Sequence, residues 1–190
     1  MLDAVSEPTA SAGSEPTRSS AQTRRVAAID IGTNSTHLLV AGVDTILGTF
    51  SIEQAEKSTT RLGERDPDSG ELTSAGMDRA FETLRRFRDL AVSHDVEQIV
   101  TAATSAVREA PNGREFLQSI QDGLDIDVDL VSGPEEARLI YLGVLSGMTF
   151  GDRPHLLLDI GGGSTELILA DGRDARVHRQ GSCLLYTSDA

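Results

Sequence analysis

Two stretches of the chain carry the same arrangement of chemistry. Asp30-Ile-Gly-Thr-Asn-Ser-Thr-His-Leu-Leu-Val-Ala41 and Asp159-Ile-Gly-Gly-Gly-Ser-Thr-Glu-Leu-Ile-Leu-Ala170 align without a gap and agree at seven of twelve positions. Each joins a carboxylate to a short run of glycines and hydroxyl side chains. A tight bend of that composition turns several backbone N–H groups into one small space, which suits phosphate oxygens. The aspartate beside such a cradle can hold a divalent cation or a water. Gly32 in one copy, and Gly161, Gly162 and Gly163 in the other, supply turn positions that need either φ > 0 or a backbone with no Cβ in the way. One Asp-x-Gly bend is common and says little. Two in matching register predict two similar lobes facing each other across a cleft, each contributing one acid.

The elements that must position these groups are legible from hydrophobic period. Apolar runs on both sides of each bend (Val26-Ala-Ala-Ile, Leu156-Leu-Leu and the stretches after each Ser-Thr) predict strand, tight turn, strand, twice over. The first hairpin is expected over about 26–43, with Ile46-Leu-Gly-Thr-Phe-Ser-Ile as a third strand and a turn at Asp66-Pro-Asp-Ser-Gly. Asp66, Asp68 and Gly70 do not make a calcium loop, because the glycine is misplaced and no glutamate closes twelve residues. Thr73 or Ser74 caps a helix to about Ser93, with Met77, Phe81, Leu84, Phe87 and Ala91 as its buried stripe. Its arginines 79, 85, 86 and 88 lie largely elsewhere and read as a solvated face. Glu97 to Ala103 reads as a strand, and Thr104-Ser-Ala-Val-Arg108 follows at its carboxyl end, where open α/β sheets place ligands. Asn112 caps a helix to about Asp122, and Ile126–Val131 is a strand. Ser132 then caps a helix to about Gly147, with Pro134, Glu135 and Glu136 in its first turn, where acids meet the positive end of the helix dipole. Val177 falls in an expected third strand of the second hairpin sheet.

Composition narrows the function classes. Of 190 residues, 38% are hydrophobic, enough for a globular core. The net charge is −13, which speaks against nucleic acid as a partner. A polyanionic substrate would then need local attraction from basic side chains, backbone donors and bound metal. The single Cys183 excludes an internal disulfide and fits a reducing compartment. No apolar run reaches the length of a membrane span, and Met1-Leu-Asp-Ala-Val-Ser-Glu-Pro lacks the basic start and apolar core of a signal peptide, so a cytoplasmic location is expected. Residues 1–25 read as a disordered tail. Histidines 37, 94, 155 and 178 show no zinc-ligand spacing.

The motifs together resemble a known family. Ala28-Ile-Asp-Ile-Gly-Thr-Asn-Ser-Thr-His-Leu-Leu, Arg61-Leu-Gly-Glu, Ala103-Thr-Ser-Ala-Val-Arg, Ser132-Gly-Pro-Glu-Glu-Ala-Arg-Leu-Ile-Tyr and Asp159-Ile-Gly-Gly-Gly-Ser-Thr-Glu look like the exopolyphosphatase/guanosine pentaphosphate phosphohydrolase (Ppx/GppA) family of the actin, sugar kinase and Hsp70-like superfamily. The likeness runs in order over about 26–182. It implies an α/β fold: a ribonuclease H-like, actin-like lobe with a mixed five-stranded sheet over 26–132, and the start of a second over 133–182. It implies hydrolysis of a terminal phosphoanhydride in inorganic polyphosphate or pppGpp, with Mg²⁺ as cofactor, and dimers. By motif match Glu136 would be the general base. Asp30, Asp159 and Glu166 would bind metal or position the water, Asp159 sharing in catalysis. Gly32, Thr33, Asn34 and Ser35, with Gly161, Gly162, Gly163, Ser164 and Thr165, would hold phosphates, and Arg108 would clamp a phosphoryl oxygen. Without the resemblance, Glu135 and Glu136 would read as ordinary helix-terminal charge. An ATP-dependent kinase of the same superfamily and a binding protein that has lost catalysis are the competing readings.

The likeness stops after Gly181-Ser182. Cys183-Leu-Leu-Tyr-Thr-Ser-Asp-Ala190 does not continue the family pattern, so residues 183–190 are expected to be foreign to it and the second lobe incomplete. One face of the second hairpin sheet is then expected to lack a covering layer, which would leave the chain unstable or weakly active.

Overall fold

The first hairpin shows how the pattern becomes structure. In the computed structural model, which describes residues 23–148, 150, 151 and 153–170 and the backbone of 179–184, β1 (Thr23–Ile31) and β2 (Ser35–Asp44) pair antiparallel. Ala27, Ile29 and Ile31 lie opposite Val40, Leu38 and Thr36, so one face of the ribbon is apolar and buried. Asp30 and His37 oppose each other on the other face.

The third strand corrects the sequence reading. Residues 45–48 form the turn, and β3 (Thr49–Thr59) keeps only the second half of the expected strand and extends it to Thr59. Asp44 Oδ1 accepts the N–H groups of Ile46 and Leu47 at 2.9 Å, locking the bend before a strand can start at Ile46. A bulge between Val40 and Ala41 lets β3 stay paired through Thr59.

From β3 the chain crosses through α1 (Ser74–Ser93) to β4 (Gln98–Ala103), then through α2 (Ser105–Arg108) and α3 (Gly113–Leu124) to the short β5 (Val128–Leu130). The sheet order is β3-β2-β1-β4-β5, with β1, β4 and β5 parallel and the first three strands antiparallel. Both long helices pack on one face. Ala80, Leu84, Phe87 and Ala91 of α1 and Phe116, Ile120 and Leu124 of α3 share a core with Ala27, Ile29, Ile31, Leu38 and Val40. Met77 and Phe81 sit at its margin, so Ala80 takes a place on the stripe that size alone would give to Phe81. Arg79, Arg85 and Arg88 of α1 are ion-paired with Glu64, Glu82 and Asp89, in keeping with a solvated face.

Two expected caps behave differently. Thr73 caps α1 by accepting the N–H of Gly76 at 3.1 Å. Asn112 precedes α3 but makes no side-chain cap. Its amide instead pairs with Leu72, accepting from the backbone N–H at 2.9 Å and donating to the carbonyl at 3.1 Å, which ties the loop before α1 to the start of α3.

The second sheet repeats the opening of the first. β6 (His155–Ile160) and β7 (Ser164–Ala170) form the hairpin, and β8 (Arg179–Leu184) adds antiparallel to β7. Helix α4 (Gly133–Gly147) begins three residues after β5 and packs on β7 and β8, where Ala137 and Tyr141 meet Ile168 and Ala170. Val177 lies outside the described residues, as do 185–190. β8 runs through Cys183 and Leu184, whose backbones pair with Thr165 and Ser164. Among the described residues no helix is long and apolar enough to cross a membrane.

Candidate active site

Both hairpin bends close in the same way. Gly32 N–H donates to Ser35 O at 3.1 Å, and Gly161 N–H donates to Ser164 O at 2.9 Å. A Cβ would stand 2.9 Å from that oxygen at Gly32 and 3.2 Å at Gly161. None of the four loop glycines has a positive φ. The bends need glycine because the backbone doubles back on itself, so the second of the two sequence-level reasons is the operative one.

The two tips touch. A Cβ on Gly162 would sit 2.5 Å from Asn34 Nδ2, and one on Gly163 would sit 2.5 Å from Thr33 Oγ1 and 2.9 Å from Ser105 Oγ. Thr33 and Ser105 hydroxyls are 3.3 Å apart. Gly163→Ala therefore has no space without parting the tips. We expect it to destabilise the chain by about 1–3 kcal/mol, read as a lowered Tm. An unchanged Tm would show that the tips are free to separate.

Around this contact the structure gathers acids from both hairpins. Asp30 at the end of β1 opposes His37, and Asp159 at the end of β6 opposes Glu166. Asp30 keeps open surface toward the gap, yet the protein around it strips away much of its water. That desolvation raises its carboxyl above the ordinary range, His37 partly offsets the rise, and the charge of Asp159 adds to it. Glu166 is buried beneath α4.

Glu136 reaches the same group from the first turn of α4, whose N-cap Ser132 accepts the N–H of Glu135 at 3.3 Å. Its carboxylate accepts a hydrogen bond from Arg108 Nη1 at 3.2 Å, and only 14% of its side chain is exposed. Burial raises its carboxyl above the usual range. Arg108 opposes the rise, and the charges of Glu166 and Asp30 reinforce it. Glu135, the other acid of the pair, is spent on Arg138, which holds its carboxyl below the ordinary range. Arg108 itself is aimed by three acceptors: Val131 O at 2.8 Å, Glu109 Oε1 at 3.1 Å and Glu136. Its Nη2 makes no hydrogen bond within the described residues and stays available.

Asp30, Glu136, Asp159, Glu166 and Arg108 are thus one electrostatic group, flanked by both loops that carry Gly32–Ser35 and Gly161–Thr165. Among the described residues no three His, Cys, Asp or Glu side chains converge closely enough to hold a metal ion by themselves. The donors are hard carboxylate oxygens, and Mg²⁺ commonly takes one or two of these and completes its shell with water and substrate phosphate. The residues fit that mode of binding and not a closed protein cage.

Some participants were not singled out from sequence. Ser105 lies inside Ala103-Thr-Ser-Ala-Val-Arg, but only the arginine drew attention, since a small hydroxyl carries no signal until Thr33 is seen beside it. His37 holds the place that Glu166 holds in the other copy, and the repeat alignment contains that correspondence.

The β3-β2-β1-β4-β5 sheet followed by a second hairpin with the same acid-and-glycine bend defines a ribonuclease H-like, actin-like lobe and the opening of another. A chain of a PilM–PilN type IV pilus biogenesis complex shares this fold alone, at 13% identity and TM-score 0.51 over 83% of this chain and 60% of that one. The chain belongs to the Ppx/GppA phosphatase family, whose profile matches residues 39–179. Among solved structures it is similar to an exopolyphosphatase from Cytophaga hutchinsonii (34% identity, TM-score 0.78, 84% of this chain and 50% of that one). It is also similar to the Ppx/GppA family member of Aquifex aeolicus (29% identity, TM-score 0.74, 84% and 51%). The chain spans about half the length of these relatives.

Proposed function

We propose that this chain supplies the phosphate-gripping hairpins and the general base of an exopolyphosphatase-type phosphohydrolase, which releases terminal orthophosphate from inorganic polyphosphate. The observation that carries the reading is the contact of the two hairpin tips, Gly162 on Asn34 and Gly163 on Thr33 and Ser105, beside Asp30, Glu136, Asp159, Glu166 and Arg108. Family membership and the likeness to an exopolyphosphatase support it.

Phosphoryl transfer asks mainly for positioning and for neutralisation of spreading charge. The terminal phosphoryl group would lie between the N–H groups of 32–35 and 161–165, with Arg108 Nη2 on one of its oxygens. Glu136 would take a proton from water as the water oxygen bonds to the terminal phosphorus and the bond to the next phosphate breaks. Its raised carboxyl suits that task, because a base works best near operating pH. One or two of Asp30, Asp159 and Glu166 would hold Mg²⁺ together with water and substrate oxygens, and the bound ion would neutralise charge on those oxygens. The reducing setting expected from one cysteine is in keeping with a cytoplasmic enzyme.

The substrate pppGpp ends in the same phosphoanhydride and is the alternative. Orthophosphate release should be measured from polyphosphate and from pppGpp, with and without an alcohol or nucleotide acceptor. Release to water without an acceptor, faster from polyphosphate, is expected. Turnover that requires an acceptor would mean a kinase, and tight binding without turnover would mean a binding protein.

A further inference from the structure

We infer that Arg61 is a second cationic seat of the same site and takes the phosphoryl group next to the terminal one in a chain-like phosphoanhydride substrate. The inference rests on the phosphohydrolase reading and adds to it a residue that sets preference for chains over single phosphates.

Arg61 has φ 48°, in the left-handed region. Among the described residues two other non-glycine residues share that region, Asp95 and Asp125, and both are aspartates just past helix ends, where the conformation is ordinary. An arginine has no such local reason, and glycine would take the same φ without strain. Strain held in place at a site points toward use of the side chain.

The neighbours that hold the strain are the hairpin tip itself. The N–H groups of Thr60 and Arg61 donate to Asn34 O at 3.1 and 2.9 Å, and Gly63 N–H donates to Thr33 O at 2.8 Å. The turn is stitched to the loop that grips the terminal phosphate. Beside it a groove of about 510 Å³ is lined by Asn34, Thr59, Arg61 and Glu64. Asn34 belongs to both places, since its amide lies against Gly162 and the residue also lines the groove. A substrate chain leaving the tip contact past Asn34 enters this groove.

Charge accounting leaves the groove positive. Glu64 is paired with Arg79 at 2.7 Å, and Arg79 Nε also donates to Thr60 O at 2.8 Å. The acid in the groove is thus neutralised, and the carbonyl before Arg61 is fixed by the same side chain. The Arg61 guanidinium has no ion-pair or hydrogen-bond partner among the described residues. In a chain of net charge −13, a polyanion must be drawn by local charge, and an unpaired guanidinium beside an anion cradle matches phosphate oxygens in geometry.

The test compares Arg61→Gly, which keeps the backbone conformation free of strain, with the parent chain and with Arg24→Ala. Arg24 lies near the start of β1, at the end of the strand away from the hairpin tip and ion-paired with Glu97, and its replacement likewise removes one positive charge. Binding of orthophosphate and of inorganic tripolyphosphate is measured in Mg²⁺ buffer, with Tm alongside. Arg61→Gly should weaken tripolyphosphate about tenfold, leave orthophosphate within twofold and keep or raise Tm. Arg24→Ala should change neither anion. Equal weakening of both anions would mean that Arg61 only shapes the Asn34 loop, and no weakening would mean that the substrate runs elsewhere. Either result overturns the inference while the phosphohydrolase reading stands. A parent chain that binds neither anion removes both.

Discussion

Glu136→Gln is expected to slow orthophosphate release roughly 10²–10⁴-fold, the range typical for loss of a general base. Polyphosphate binding should stay within a few-fold of the parent. Glutamine keeps the shape of the side chain and can still accept from Arg108 through its carbonyl, so the loss would be of proton affinity and not of position. The same substitution should raise Tm. Glu136 has a folded-state carboxyl raised above its unfolded value, first by burial and then by Glu166 and Asp30. Such a group binds more protons folded than unfolded, so its contribution to stability is full below the unfolded pKa and is lost as pH rises through the folded one. At neutral pH the charged form is a cost, and removing the charge relieves it. For the same reason the rate of the parent should fall on acidification at a pH above that of an ordinary glutamate. A variant as active as the parent would take Glu136 out of the mechanism. A variant that binds polyphosphate far more weakly would make it a substrate contact.

The duplicated bend was legible because it repeats: an acid, glycines and Ser-Thr at one offset constrain each other in a way that a lone motif cannot. The helices over 74–93 and 133–147 were legible from caps and period, and the position of Glu136 in a first turn followed. What sequence could not give was spatial. Nothing in the order of residues says that Gly163 meets Ser105, or that Arg108 is aimed by the carbonyl of Val131, since each pair is joined only through the packing of different elements. The third strand was misplaced because Ile46 and Leu47 look like strand residues, while the decisive hydrogen bonds come from the Asp44 side chain. Arg61 was visible as part of a motif, but its positive φ is a property of the folded backbone.

The repeat also sets an expected asymmetry in stability. Ile29→Ala should cost about 2–5 kcal/mol, as truncation of a fully buried side chain does. Leu158→Ala, at the matching position of the second copy, should cost less than about 1 kcal/mol in this chain. Ala27, Ile29, Ile31, Leu38 and Val40 are 0–2% exposed under α1 and α3, whereas Leu156, Leu158, Ile160, Leu167 and Leu169, their counterparts 129 positions on, are 36–69% exposed. Cross-strand pairing is the same in both sheets, with Ile29 opposite Leu38 and Leu158 opposite Leu167, so the comparison is between equivalent faces. The difference lies in cover: α1 and α3 lie on this face of the first sheet, and α4 lies on the opposite face of the second. Full burial of a leucine-sized side chain is worth about 1.5–3 kcal/mol, and each of these part-exposed residues forgoes a fraction of that, which is how an open face weakens the second sheet relative to the first. Urea unfolding of the two alanine variants, followed by a probe that reports on the whole chain, decides the matter. Equal costs at Ile29 and Leu158 would mean that the second face is buried in solution, and self-association at the concentration of the experiment would then be sought by sedimentation.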